Sequence, residues 1–255
     1  VGREAERAAV REAAARARAG HGQVVLLVGD AGVGKSRLFW EIAHVMQAEG
    51  WRLLESRSLS YGRATPYLSV IELLRSDFQV ETGDEERKIQ EKITGRLLAV
   101  DETLLGELPV FLTLFDVPVA DPAWQALDAP RRRQRTLDAL TRLLRCLSER
   151  EPLLLVFEDL QWIDAESQAV LDAFVDEVAA RRVLLLLDYR PEYTHAWQGR
   201  PHLLEIRVGA LPAAGAGALL DALLGAEDRL APLKRLLVER TEGNPFFLEE
   251  SVRTL

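Results

Sequence analysis

The sequence predicts an α/β fold: a parallel sheet with helices on both faces, a helical insertion after the second strand and an all-helical end. Three observations predict it. Short apolar runs such as "QVVLLV", "PLLLVF" and "VLLLLDY" have strand length, and their unbroken apolarity marks strands buried on both faces. These runs alternate with stretches whose apolar residues recur at helical spacing. From Leu211 onward no strand-like run remains.

Taken in order, residues 3–20 are rich in Ala, Arg and Glu at helical spacing and stop at Gly20 and Gly22. Gln23–Val28 reads as a buried strand, and a helix follows Lys35 to about Ala48, ahead of Gly50. "WRLLESR" (51–57) is a second strand. Helices are expected at 66–78, 85–100, 104–114 and 131–148. So long a stretch is no loop, and residues of about 60–150 are expected to pack on the core as an insertion. A strand at 152–157, a helix at 165–180, a strand at 182–190 and a weaker strand at 202–208 complete the α/β part. Helices at 213–225, 228–240 and 245–255 are broken by Gly225 and Gly243. Residues 1–209 are thus expected to form the core and 210–255 the start of a smaller helical unit.

The 255 residues carry 32 Lys+Arg against 40 Asp+Glu, a net charge of −8 that argues against a chain built chiefly to neutralise nucleic-acid phosphates. Cys146 is the single cysteine, which excludes an intrachain disulfide or a cysteine metal cluster and fits a cytoplasmic setting. No apolar run approaches the roughly 20 residues that span a bilayer. The chain opens on Val-Gly-Arg-Glu and stops inside a helical pattern, so it is expected to be a piece of a larger protein.

"GDAGVGKS", Gly29, Asp30, Ala31, Gly32, Val33, Gly34, Lys35 and Ser36, fits the G-x-x-x-x-G-K-[ST] pattern of a P-loop between strand and helix. Glycines let successive N–H groups turn inward as a phosphate nest, and the helix beginning there, which includes Arg37, adds its positive end. Lys35 supplies charge for the β- and γ-phosphates, and the Ser36 hydroxyl can reach Mg²⁺. "LLLVFEDLQWID" delivers Glu158 and Asp159 at the carboxyl end of a buried strand, where ligands of parallel sheets bind. Mg²⁺ needs a carboxylate and an attacking water needs a base; which acid serves which stays open. Asp164 reads as a helix N-cap and Trp162 as a packing residue.

Together these motifs resemble the AAA+-related P-loop ATPases, and within them the signal-transducing STAND branch. "VGREAE" is similar to a signature that helps enclose adenine in that branch, which brings Gly2 and Arg3 to the nucleotide; Arg3 and Glu4 either order an N-terminal strap or are solvated at a helix start. "VFEDLQWID" resembles its Walker B segment, although Glu158 stands where many members carry Asp. "LLLLDYRP" resembles its sensor strand. On position alone Arg190 serves equally as a strand cap; the resemblance implies a γ-phosphate sensor. "TEGNPFFLEE" resembles the G-x-P motif of the helical lid, with Pro245 against adenine. The likeness runs nearly end to end, and is closest to modules that accompany bacterial adenylate/guanylate cyclase domains and tetratricopeptide (TPR) repeats or DNA-binding domains of large LuxR-type regulators.

The resemblance implies ATP/ADP and Mg²⁺ as ligands, other domains of the same polypeptide as partners, and a nucleotide-dependent oligomer as one outcome. The expected function is a slowly hydrolysing ATP switch, without cyclase activity of its own. The alternative is an AAA+ motor or loader acting on nucleic acid or protein in a ring. That alternative needs an arginine from a neighbour, for which Arg131, Arg132, Arg133 and Arg135 are the candidates against a solvated helix end. A small-molecule kinase would not explain the lid motif. His21, His44, His195 and His202 show no metal spacing, and "YGRATPY" (61–67) has no spacing that supports a contact.

Overall fold

The computed structural model describes residues 2–58 and 65–254. Helix α1 (Glu4–Arg18) leads into strand β1 (Gln23–Val28), helix α2 (Lys35–Ala48) and strand β2 (Arg52–Arg57). The insertion comprises α3 (Leu68–Asp77), α4 (Glu86–Val100), α5 (Leu108–Leu114), α6 (Pro122–Gln125) and α7 (Ala129–Arg150). Strand β3 (Leu153–Glu158), helix α8 (Ala165–Glu177) and strands β4 (Val183–Tyr189) and β5 (Leu203–Arg207) follow. Helices α9 (Ala213–Leu224), α10 (Ala231–Thr241) and α11 (Pro245–Arg253) close the chain.

The five strands form one sheet in the order β2-β3-β4-β1-β5, parallel throughout. Alternate residues of each central strand enter different cores, which explains the unbroken apolar runs. Val25, Leu27, Leu154, Val156, Leu184 and Leu186 pack with α1 and α2 through Val10, Ala13, Leu38 and Ile42. Val24, Leu26, Leu155, Phe157, Leu185 and Leu187 face the insertion and α8 through Leu73, Leu97, Phe111, Leu143 and Leu171. Asp77, with no exposed side-chain surface, accepts from Arg52 Nε at 2.9 Å and Arg96 Nε at 3.0 Å, tying α3 and α4 to β2. Ala216, Leu220, Leu237 and Leu248 form a separate small core in the terminal helices. Among the described residues no helix is long and apolar enough to cross a membrane.

Several expected boundaries move for local reasons. The helix expected at 104–114 starts as a 3-10 turn, Glu102–Glu107, whose N-cap Asp101 accepts from Thr103 N at 2.8 Å, and α5 begins beyond it with Pro109 in its first turn. The helix expected from 66 starts at Leu68, because Tyr67 is left-handed at φ 61. Helix α6, four residues capped by Asp121, is too short to show a period.

Candidate functional site

The phosphate loop begins where β1 ends. A Cβ on Gly29 would sit 2.2 Å from the Val208 carbonyl oxygen, so only glycine lets the loop leave the sheet there. Gly32 and Gly34 have φ of +80 and +93, in the left-handed region that glycine enters without strain. Gly34 caps α2 without a side chain, so the first N–H groups of that helix, which no intrahelical carbonyl can accept, border the cleft. Lys35 is 7% exposed, and its Nζ donates to the Gly29 and Asp30 carbonyl oxygens at 2.7 and 3.1 Å.

Two acids border this loop from the carboxyl ends of β3 and β4, Asp159 and Asp188. Asp188 is buried, with Oδ2 3.8 Å from Lys35 Nζ, while its Oδ1 accepts from the Asp159 N–H at 2.6 Å. Burial raises the Asp188 carboxyl to about 7, against the opposing pull of that N–H and of Lys35. Asp159 is left-handed at φ 58 and ψ 46, a conformation that costs a non-glycine residue roughly 1–2 kcal/mol. The Asp188 carboxylate on its backbone and the Gln161 amide on its side chain, 2.8 Å from Oδ1, hold it there.

Arg57, the last residue of β2, joins the two halves of the site. One guanidinium nitrogen donates to Ser36 Oγ at 3.3 Å and to Glu158 Oε2 at 3.2 Å, and its Nε is 4.0 Å from Asp159 Oδ2. One positive group thus touches the hydroxyl and both carboxylates expected at the metal. Among the described residues no three His, Cys, Asp or Glu side chains are grouped to hold a metal alone. Such an all-oxygen set, short of a full cage, fits Mg²⁺, which binds through one or two carboxylates, water and the phosphates of its nucleotide.

The cleft, about 670 Å³, is lined by Arg3, by residues 31–38, by Asp159, Asp188 and Arg190, and by Leu211, Leu219, Pro245, Phe246 and Glu249 of the terminal helices. That volume suits a ligand of nucleotide size. The terminal helices touch the loop directly: the Phe246 N–H donates to the Gly32 carbonyl oxygen at 3.2 Å, and Asn244 Nδ2 to that of Ala31 at 3.2 Å. A Cβ on Gly32 would come within 2.8 Å of Phe246 Cβ, so this approach also requires glycine.

The structure therefore brings Ala31, Gly32, Val33, Gly34, Lys35, Ser36, Arg37, Asp159, Arg190 and Pro245 to one cleft. Gly29 and Asp30 act on it through carbonyls that hold Lys35, and Glu158 through Arg57. Gly2 does not line the cleft; it packs against Gly215, where an added Cβ would meet Cα at 3.3 Å. Arg3 lines it, and its guanidinium donates to the carbonyl oxygens of Val33 at 2.9 Å and Gly209 at 2.5 Å, so it straps the phosphate loop to the segment that follows β5. Glu4 accepts from the Gly2 N–H at 3.3 Å, within that strap.

The basic run lies in α7, and three of its members are paired within the chain. Arg133 Nε is 2.6 Å from Glu166, Arg135 Nε is 2.9 Å from Glu107, and Arg132 donates to the Gln125 carbonyl oxygen at 2.9 Å. Residues 131–135 are all exposed, as a solvated helix end would be, and these are surface pairs. Asp164 caps α8, accepting from the Ser167 N–H at 2.9 Å, and also accepts from the Tyr67 N–H. Trp162 does not line the cleft. Residues 61–64 of "YGRATPY" lie outside the described residues.

Sequence reasoning missed Arg57, Asp188 and Gln161. A lone acid ending a buried apolar run was a usable signal for Asp188, since a buried carboxyl needs partners. Arg57 and Gln161 gave no comparable signal.

Residues 1–187 match the family model of the AAA ATPase domain. An uncharacterized protein of Rhizobium meliloti (strain 1021) is 27% identical over 238 residues; the match covers 91% of this chain, which spans only 22% of that relative. Among solved structures, Drosophila ORC bound to DNA is similar over 98% of this chain and 54% of its own, at 13% identity and TM-score 0.56. A STAND protein with a tetratricopeptide repeat sensor from Pyrococcus horikoshii is similar over 100% of this chain and 32% of its own, at 14% identity and TM-score 0.49. With a phosphate loop, paired acids and a parallel sheet arranged as above, and a family match over most of its length, the chain belongs to the AAA ATPase domain family and is a nucleotide-binding ATPase module.

Proposed function

We infer that this module is a slowly hydrolysing ATP switch of the STAND type within a larger signalling regulator. The observation that carries the reading is a single cleft walled by both the phosphate loop and the terminal helices, with Phe246 N–H on Gly32 and Asn244 on Ala31. A nucleotide held there touches both bodies, and contacts through its γ-phosphate exist only before cleavage, so hydrolysis changes how the two are held.

In this reading the loop amides and Lys35 grip the phosphates, Arg190 meets the γ-phosphate, and Pro245 with Leu211 and Leu219 covers the base. Ser36, Glu158 and Asp159 would hold Mg²⁺, which when bound neutralises developing phosphate charge. Of the two acids, Asp159 borders the cleft and is the better placed to orient the attacking water. Adenine as the base rests on the family. The sequence resemblance supports cyclase, DNA-binding or TPR segments of the same polypeptide as partners, and the cytoplasm as the setting.

Purified protein, denatured and analysed for released nucleotide alongside its steady-state turnover, tests the reading. A switch retains ADP or ATP and turns over far more slowly than a motor. Brisk hydrolysis stimulated by DNA overturns it in favour of a ring-forming loader; three of the four basic-run arginines are already engaged within the chain, which weighs against that alternative.

A further inference from the structure

Gln161 joins two groups that border the cleft separately. It is 5% exposed, sits on the 3-10 turn Leu160–Trp162 and does not itself line the cleft. Its Nε2 donates to Asp159 Oδ1 at 2.8 Å, and its Oε1 accepts from the Arg190 N–H at 3.2 Å. These partners fix which way round the amide lies. A backbone N–H only donates and an ionised carboxylate only accepts, so the carbonyl must face Arg190 and the NH₂ must face Asp159. A half-turn of the amide would oppose donor to donor and acceptor to acceptor.

Two consequences follow for Asp159. With Oδ1 engaged by Gln161, Oδ2 is the oxygen turned toward Arg57, 4.0 Å from its Nε. The side-chain orientation of an acid whose backbone is already left-handed thus depends on the peptide that leads into Arg190.

We propose that Gln161 is a positioning residue that couples Arg190 to Asp159, so that engagement of a third phosphate by Arg190 sets the Asp159 carboxylate. The coupling rests on the reading of the cleft as an ATP site with Arg190 at the γ-phosphate. The coupling is local: end of β4, buried amide, end of β3.

The test uses Gln161→Leu, similar in size and without polar side-chain atoms. Affinities for fluorescent ADP and for a non-hydrolysable ATP analogue are measured together with turnover and thermal unfolding. ADP affinity and unfolding temperature are expected to stay near native. Preference for the triphosphate over the diphosphate, and kcat, each fall about tenfold, within the span of ordinary coupling free energies. Arg190→Ala removes the same preference, and the double variant loses little more, as linked residues do.

Unchanged preference and kcat in Gln161→Leu overturn the coupling. So do additive losses in the double variant, or an equal loss of affinity for both nucleotides, which marks a merely structural side chain. If Gln161→Leu does not fold, hydrogen exchange at the Arg190 amide of the native chain decides: slower exchange with the ATP analogue than with ADP supports the coupling, and equal exchange overturns it. A native chain that binds neither nucleotide ends the ATP-site reading itself, a failure distinct from one confined to Gln161.

Discussion

Replacing Asn244 asks whether the terminal helices are tied to the phosphate loop in a way the nucleotide feels, because two separable contacts meet at that side chain. Its Oδ1 accepts from the Phe246 N–H at 3.1 Å, capping α11, and its Nδ2 donates to the Ala31 carbonyl oxygen at 3.2 Å. Asn244→Ala removes both. An N-cap contributes about 0.5–2 kcal/mol, here toward the lower end because the Phe246 N–H keeps the Gly32 carbonyl as a second acceptor. A single hydrogen bond contributes about 0.5–1.5 kcal/mol. Asn244→Asp keeps a good acceptor at the helix N-terminus but has no donor for Ala31 and turns a charge toward its carbonyl. The aspartate variant therefore loses the lid-to-loop bond alone. Lost from the nucleotide-bound state, that bond lowers affinity about two- to tenfold. Calorimetric titration with an ATP analogue should show this loss in both variants. Thermal unfolding should fall further in Asn244→Ala, which loses the N-cap as well as the bond to Ala31, at roughly 2–4 °C per kcal/mol. Native affinity in both variants would refute the idea that this contact belongs to the nucleotide pocket.

Lys35→Ala should abolish ATP binding while the fold persists, checked by titration calorimetry and circular dichroism; undiminished affinity removes the phosphate-grip assignment. Gly29→Ala should destabilise by about 1–3 kcal/mol as an overpacked site, since its Cβ would lie 2.2 Å from the Val208 carbonyl oxygen; a native unfolding temperature contradicts this. Asp188 carries a pH signature. Its folded carboxyl, raised by burial to about 7, holds a proton that the unfolded chain releases near 3.8, so between those values the native state binds more protons. Stability therefore falls as pH rises across that window, by at most about 1.4 kcal/mol per pH unit. Asp188→Asn still accepts from the Asp159 N–H and should flatten the slope; equal slopes in native and variant chains contradict it.

The parts of this molecule that could be read from the sequence are those whose physics is local. Leu153, Leu154, Leu155 and Val156 alternate between two cores, so the run looks apolar throughout and declares a buried parallel strand. Glycines at 29, 32 and 34 with Lys35 and Ser36 declare a phosphate loop because each residue type meets a backbone requirement of that turn. The insertion's bulk was legible from helical spacing, while its ends depended on Tyr67 and Pro109, whose effect on the chain is local but weakly marked. Contacts between distant segments were not legible. Nothing in "WRLLESR" tells that Arg57 ends beside Ser36 and Glu158, since that follows from β2 lying next to β3 at the sheet edge. Gln161 likewise acquires its place only when β3 and β4 become neighbours. Arg3 was expected at the nucleotide and in an N-terminal strap, but the two backbone carbonyls it holds, of Val33 and Gly209, follow only from the fold.

A crystal structure of the chain with a non-hydrolysable ATP analogue and Mg²⁺ tests the shared cleft most directly. It should show the triphosphate within hydrogen-bond reach of Lys35 Nζ and the residue 32–36 amides, the third phosphate facing Arg190 and Asp159, and the base against Pro245. A nucleotide held by the loop alone, with α11 turned away and no contact to Pro245 or Leu219, would contradict a switch that works by joining core and lid.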